Sequence, residues 1–160
     1  MKRPRKTWLR AAALLLAFLA AYLAIAAAWA WNAFDAAVRS APPAETVQLS
    51  ARQTAILLRV EDPGFYEHSG LSVGPGQGVA TISSALAREL FLGKGRLEGL
   101  PGMFQAVYRG VFDCCKRIDL GRDVMALVLN ARMSKREQLA RGVSLHAGIL
   151  QALADRKSVV

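Results

Sequence analysis

The run of apolar residues from Ala11 to Ala33 restricts the fold more than any other feature of this sequence. It is apolar except for Asn32 and consists largely of alanine and leucine. A helix needs roughly 20 such residues to cross a bilayer, and a helix satisfies its own backbone polar groups inside lipid. The run therefore predicts a transmembrane helix over residues 11–33. Trp8 precedes it, and Trp29 and Trp31 lie at its other end, as in an aromatic belt at a membrane interface.

The residues before this run predict its orientation. Five basic residues lie within residues 1–10, and the first acidic residue of the chain is Asp35. Positive charge favours the cytoplasmic side, so the bulk of the chain is expected outside the membrane. A cleaved signal peptide is the competing interpretation, with small residues Ala28 and Ala30 near a cleavage site. The apolar core of a signal peptide has about 7–15 residues, so the longer run favours an uncleaved anchor.

Charge and cysteine content exclude some function classes. The chain carries a formal charge of +9. Without the five basic residues at its start, 16 basic residues face 12 acidic ones, a net charge of +4. This mild excess argues against a dedicated nucleic-acid-binding protein. The two cysteines, Cys114 and Cys115, are adjacent, which suits neither an ordinary disulfide nor a pair of zinc ligands.

Beyond the membrane segment, the patterning predicts an all-α domain. Residues 34–46, with two prolines, read as a linker, and residues 47–160 as the domain. A helix is expected from about Ser50 to Val60, ended by Pro63. A second is expected to begin after Thr81 as its N-cap and to stop at Gly93.

The second half of the domain predicts further helices. Residues 94–102 read as a loop, and an apolar stripe marks a helix from Met103 to Cys115. The apolar run Val124–Leu129 predicts a buried helix, with a β-strand as the alternative for so short a run. Ser134 and Glu137 fit a capping box. A last helix is expected from its apolar residues Leu145, Ile149, Leu150 and Leu153.

The segment "EDPGFYEHSG", residues 61–70, carries more titratable groups than a turn requires. It resembles the first motif of glycosyltransferase family 51, the peptidoglycan glycosyltransferases, which reads E-D-x-x-F-x-x-H-x-G. The matching residues are Glu61, Asp62, Phe65, His68 and Gly70.

A second family motif follows at a suitable distance. The family pattern is G-S-T-I-T-Q-Q-L-x-K-N-L-F-L, and this chain has "VATISSALARELFL". Arg88 stands at the family's lysine, and Arg96 lies where the family has an arginine. The resemblance covers residues 44–96. The residues retained from the second motif are Thr81, Ile82, Leu86, Leu90, Phe91 and Leu92.

This resemblance implies a lysozyme-like α-helical domain that polymerises lipid II into glycan strands. Such a reaction needs a carboxylate to take the proton of a sugar hydroxyl, and by carry-over that base is Glu61. Partial burial raises a carboxyl pKa toward the useful range, and Phe65 and Tyr66 are candidates for the apolar wall. The lipid diphosphate needs cations. The implied substrate-binding residues are Asp62, His68, Thr81, Arg88, Arg96 and Gln105, although a lone histidine more often has a structural role.

The family's second catalytic acid, in R-K-x-x-E-A, has no acidic counterpart here. The preferred alignment places Gln105 at that position, with Pro101 and Gly102 at the R-K pair. An alternative alignment with a long insertion places Arg122 there. A side chain without negative charge cannot replace an acid that holds a metal ion or orients a diphosphate. A divalent metal ion, Mg²⁺ or Mn²⁺, at the diphosphate stays open, and no other cofactor is indicated.

Two functions therefore remain, beside a third interpretation, a small membrane protein whose similarity to the family reflects ancestry alone. The leading prediction is a peptidoglycan glycosyltransferase in the bacterial inner membrane, single-pass, with its domain in the periplasm. The alternative is a catalytically degenerate module that binds lipid II, a nascent glycan strand or a cell-wall synthase. Retention of Glu61 favours the first function, and loss of the second acid favours the alternative.

Overall fold

The computed structural model describes residues 4–41, 49–72, 81–93, 95–112 and 119–144. Within these ranges the chain forms six helices and no strand, which confirms the predicted all-α class. The predicted helix around Leu145–Leu153 and the pair Cys114 and Cys115 lie outside the described residues. The helices are α1 (Pro4–Ser40), α2 (Ala51–Glu61), α3 (Ile82–Leu92), α4 (Gly99–Phe112), α5 (Leu120–Arg132) and α6 (residues 135–144).

Capping side chains fix the beginnings of α2 and α3 as the sequence predicts. Ser50 and Gln53 form a reciprocal capping box at α2, and Thr81 and Ser84 form one at α3. Each box satisfies backbone N–H groups that have no partner within the helix. Gly93 is the C-cap of α3, as expected. At α6, the Ser134 hydroxyl accepts a hydrogen bond from the Glu137 backbone N–H at 3.3 Å.

Helices α4 and α5 differ in extent from the prediction. Helix α4 begins at Gly99, within the segment expected to be a loop, because Pro101 in the first helical turn needs no hydrogen-bonded N–H. Helix α5 includes the whole Val124–Leu129 run, so the β-strand alternative is excluded. The run is not buried on every side, since Leu127 is 42% exposed.

Helix α1 has 37 residues and is about 55 Å long at 1.5 Å per residue. Its segment Thr7–Ser40 is long and apolar enough, by length and composition, to span a membrane, with a mean hydropathy of 2.4 in its most apolar window. The helix continues through Ser40. Much of the linker predicted over residues 34–46 is therefore helical.

The C-terminal half of α1 is also a core element. Its buried residues recur every three to four positions, which defines one helical face packed against α3, α4 and α5. Alanines dominate this face, so the neighbouring helices approach closely. Trp29 belongs to it and does not act as a membrane-belt residue. The buried residues are Ala26, Trp29, Ala30, Ala33, Phe34 and Ala37.

Aromatic rings connect α1 to the helices packed on it. The Trp29 ring lies 4.8 Å from Phe104 of α4 and 5.7 Å from Phe91 of α3, measured between centroids. Tyr22 stacks on Phe112 at the other end of α4, at 5.7 Å. Such contacts contribute about 0.5–1.5 kcal/mol each beyond the area they bury. They hold α4 antiparallel to α1.

Arg132 fixes the C-terminal end of α5 to α1. Its guanidinium forms an ion pair with Asp35 at 3.2 Å and donates to the Trp31 carbonyl at 3.2 Å. It also lies over the Trp31 and Phe34 rings, 5.0 and 4.8 Å from their centroids. Because Asp35 is largely exposed, the ring contacts and the carbonyl bond define this position more than the ion pair does.

Candidate functional site

The turn that follows α2 is organised by the Asp62 carboxylate. Asp62 is 1% exposed, and its backbone N–H caps α2 by donating to the Leu58 carbonyl at 2.9 Å. Its side-chain oxygens accept hydrogen bonds from His68 Nε2 at 2.9 and 3.0 Å and from the Ile82 backbone N–H at 3.1 Å. Ile82 is the first residue of α3, where the helix dipole favours a negative charge. Asp62 thus joins α2, the turn and α3.

The hydrogen bonds of His68 define its tautomer. The Gly70 backbone N–H donates to His68 Nδ1 at 2.9 Å. A backbone N–H can only donate, so Nδ1 is unprotonated, and Nε2 carries the proton that it donates to Asp62. Both ring nitrogens of His68 are therefore occupied by protein groups. The structural role is favoured over direct substrate binding.

Gly70 and Thr81 complete this arrangement. Gly70 has φ +115°, a conformation that favours glycine, and a Cβ there would lie 2.7 Å from the Ala126 carbonyl oxygen of α5. The Thr81 hydroxyl donates to the Gly70 carbonyl at 2.6 Å and accepts from the Ser84 backbone N–H at 3.0 Å. The structure thus brings together three of the predicted site residues, Asp62, His68 and Thr81, as an internal hydrogen-bonded cluster.

Phe65 anchors the turn from beneath. It is 1% exposed, with its ring 4.5 Å from the Lys135 ammonium of α6. Burial lowers the pKa of Lys135, and the nearby Asp62 carboxylate opposes that change. Tyr66 is largely exposed. The apolar wall that the sequence predicts around Glu61 is therefore not built by these two rings, since Phe65 belongs to the core and Tyr66 to the surface.

Glu61 itself is the last residue of α2 and lies at the surface. Within the described part of the chain, its carboxylate has no hydrogen-bond or ion-pair partner. It borders an open groove of about 360 Å³ whose other lining residues are mostly apolar: Leu49, Gln53, Ile56, Leu57 and Val60. The carboxylate is thus accessible, on a backbone held in place by its neighbour Asp62.

The two predicted cationic residues lie apart from Glu61. Asp62 contacts the first residue of α3, so Glu61 is at the N-terminal end of that helix. Arg88 is exposed six residues further along, about 9 Å at 1.5 Å per residue. Arg96 is exposed beyond the C-cap, at the other end of a helix about 16 Å long. The two arginines and Glu61 therefore do not form one compact cluster.

Gln105 is buried, and its side-chain amide holds the loop between α3 and α4. Its Nε2 donates to the Phe91 carbonyl at 2.8 Å and to the Gly95 carbonyl at 3.1 Å. Its Oε1 accepts from the Leu97 backbone N–H at 3.1 Å. The amide needs both a donor and an acceptor for this role, which a carboxylate cannot provide. Gln105 thus has a structural function that the sequence did not reveal.

The alternative position for the second acid also lies in a structural setting. Arg122 is in the first turn of α5, and its backbone N–H donates to the N-cap Asp119 at 3.0 Å. Asp119 also accepts a hydrogen bond from the Tyr108 hydroxyl. That hydroxyl is in turn hydrogen-bonded to the Tyr22 hydroxyl at 3.1 Å. The sequence analysis did not predict this network. The signal for it is Tyr22 within the apolar run, because the Tyr22 hydroxyl needs a polar partner there.

A second buried hydrogen-bond network, centred on Gln138, was not predicted from the sequence either. Gln138 of α6 accepts from the Ser83 hydroxyl at 2.7 Å and donates to the Met133 carbonyl at 2.8 Å. It connects α6 with α3 and the end of α5.

Among the described residues, no group of three or more histidine, cysteine, aspartate or glutamate side chains lies close enough to hold a metal ion. The described residues around Glu61 therefore provide no preformed cluster of metal ligands.

Comparison with known proteins gives no match: no family model fits the chain, and no curated protein or solved structure is significantly similar to it. The resemblance to glycosyltransferase family 51 therefore depends on the two motifs alone.

Asp62→Asn should destabilise the fold, whereas Glu61→Gln should not. The amide removes one acceptor and one negative charge from a buried cluster. Hydrogen bonds to charged groups contribute about 1.5–3 kcal/mol, and we expect a loss of unfolding free energy in that range. Glu61→Gln is the matched control, an adjacent acid-to-amide change at an exposed position, expected within about 0.5 kcal/mol of wild type. Denaturant unfolding in detergent measures both, and equal stability of the two variants would contradict the role of Asp62.

Gln105→Glu should also destabilise the protein. A carboxylate oxygen would face the Phe91 and Gly95 carbonyls, so the Phe91 carbonyl would lose the amide donor at a buried site and the Gly95 carbonyl would keep only its bond from Arg109. An unsatisfied buried group costs about 1–3 kcal/mol, so the loss should be at least of that size. Gln53→Glu is the control, because Gln53 acts there only through its acceptor oxygen and glutamate serves equally in a capping box. A Gln105→Glu protein as stable as wild type would show that the loop does not depend on this amide.

Proposed function

We propose that this protein is a membrane-anchored, peptidoglycan glycosyltransferase-like protein that acts on lipid II at the periplasmic face of the bacterial inner membrane. Its domain is proposed to be a lysozyme-like domain of the glycosyltransferase family 51 type. The observation that carries the proposal is the Glu61 carboxylate, exposed and without a partner among the described residues, at the edge of a mostly apolar groove. The surrounding motif residues support it by holding Glu61 in a defined position.

In the proposed reaction Glu61 acts as a general base. It takes the proton of the acceptor sugar hydroxyl, and the hydroxyl oxygen forms a bond to the anomeric carbon of the donor. The bond from that carbon to the diphosphate oxygen breaks, and its electron pair leaves with the lipid diphosphate. Arg88 and Arg96 are the proposed cations for the diphosphate. The apolar groove suits the polyprenyl part of such a substrate.

A second candidate function is favoured by the environment of Gln105. In the preferred alignment this residue occupies the position of the family's second acid, yet its amide is used entirely within the fold. A protein in which a structural amide stands in place of the family's second acid fits a module that binds lipid II, a nascent glycan strand or a cell-wall synthase without polymerising. The two candidates share the substrate site and differ in turnover.

Glu61→Gln should lower the rate of glycan polymerisation by about 10²–10⁴, because loss of a general base typically has that effect. Binding of lipid II should persist, since the amide keeps the shape of the side chain. Full-length protein in detergent or lipid, labelled lipid II and separation of the glycan products measure the rate. Glu67→Gln is the matched control, an exposed acid in the same turn.

The result for wild type separates the two candidates. Polymerisation that depends on Glu61 but not on Glu67 supports the enzyme, and binding without polymerisation supports the non-catalytic module. Polymerisation unchanged in Glu61→Gln would remove Glu61 from the mechanism. Absence of both binding and polymerisation in wild type would refute the function drawn from the two motifs.

A further inference from the structure

Helix α4 exposes only apolar residues. Seven of its 14 residues are exposed, and none of them is polar or charged. The four large ones, which are 57–80% exposed, recur at spacings of three and four and so form one stripe along the helix. Isolated exposed apolar side chains are ordinary, but a continuous stripe marks a surface that contacts something other than water. The exposed residues are Gly99, Leu100, Met103, Ala106, Val107, Gly110 and Val111.

The polar residues of α4 face the opposite way. Gln105 and Tyr108 are buried, and the half-buried Arg109 donates to the Gly95 carbonyl at 3.2 Å. A surface helix in water has its apolar face inward and its polar face outward. Helix α4 instead has an apolar outward face as well as aromatic residues inward, and its polar side chains lie inward. This arrangement is the one expected where lipid replaces water, since polar groups at membrane depth face the protein interior.

The stripe lies beside the apolar run of α1. Phe112 packs on Tyr22, and the Trp29 indole donates to the Pro101 carbonyl at 3.1 Å. These contacts place α4 alongside residues 22–29 of α1, within the second half of the run of residues 11–33. Helix α5 also packs on α1, and its exposed residues are apolar too: Leu120, Leu127 and Ala131. Its Arg122 and Asp123 are half-buried.

We propose that the apolar face of α4 lies in the outer leaflet of the bilayer, in contact with lipid acyl chains. The membrane contact of the protein then comprises α1 and α4 together. The inference requires α1 to cross the bilayer with its N-terminus in the cytoplasm, and it does not depend on the proposed enzymatic function. Continuity of the α4 stripe with the exposed apolar surface of α1 identifies lipid as the occupant, since both surfaces lie at the same level along α1.

Nitroxide labels test this directly. Single cysteines are introduced at Met103 and Val107 in the full chain with Cys114→Ser and Cys115→Ser, and the protein is reconstituted in phospholipid vesicles. Electron paramagnetic resonance measures how accessible each label is to oxygen, which concentrates in lipid, and to a water-soluble nickel chelate. Leu16 of α1 is the lipid control, and the exposed Ala85 of α3 is the water control. We expect the labels at Met103 and Val107 to behave like the label at Leu16, with oxygen the more effective relaxation agent.

Two results would overturn the proposal. Labels at Met103 and Val107 that match Ala85 would place α4 in water. Labels shielded from both reagents would mean that protein, such as a second copy of the chain, covers the stripe. A photoactivatable residue at Val107 in the chain with both native cysteines gives an independent reading. Adducts with acyl chains support the proposal. Adducts with protein alone, or the absence of any adduct, contradict it.

Discussion

The fold depends on the dual use of α1, since one helix supplies both the apolar span and a face of the domain core. Its alanine-rich face, with Trp29 and Phe34, packs against α3, α4 and α5, and no flexible connection separates it from the apolar run. If α1 crosses a bilayer, as we propose, the domain is held at a fixed height and rotation relative to it. Under that constraint the outward apolar face of α4 is compatible with a folded protein.

The candidate site is held in place by hydrogen bonds at both ends of α3. The first residue of α3 binds the Asp62 carboxylate, and that contact sets where α2 ends and Glu61 is exposed. Gln105 holds the opposite end of α3 through the loop that carries Arg96. Of the predicted site residues, all of which lie in the described part of the chain, Glu61, Arg88 and Arg96 are exposed, and the others build the frame. An accessible carboxylate on a rigid frame is what the proposed function requires, whether or not polymerisation follows.

The sequence predicts local features well, because caps and helix-breaking residues act over a few positions. Ser50, Thr81 and Gly93 are at the helix ends that the sequence predicts. Contacts distant in sequence were not predictable in this way. Trp29 reads as a membrane-belt residue until α3 and α4 are packed on it, and Gln105 reads as a lost acid until its three backbone partners are known. The motif did not predict that Asp62 and His68 would be hydrogen-bonded to each other.

The dependence of the core on α1 is tested most directly by comparing the unfolding of two truncated proteins in the same detergent. One begins at residue 21 and keeps the buried face from Ala26 to Ala37, and the other begins at residue 42 and lacks it. Removal of Trp29 and Phe34 alone deletes two large buried side chains, each expected to contribute about 3–5 kcal/mol, comparable with the whole stability of a domain. We predict cooperative unfolding, with near-ultraviolet circular dichroism of packed aromatic rings, for the protein that begins at residue 21 and neither feature for the other. Cooperative unfolding of equal stability in both would contradict the account of α1 as an element of the domain core.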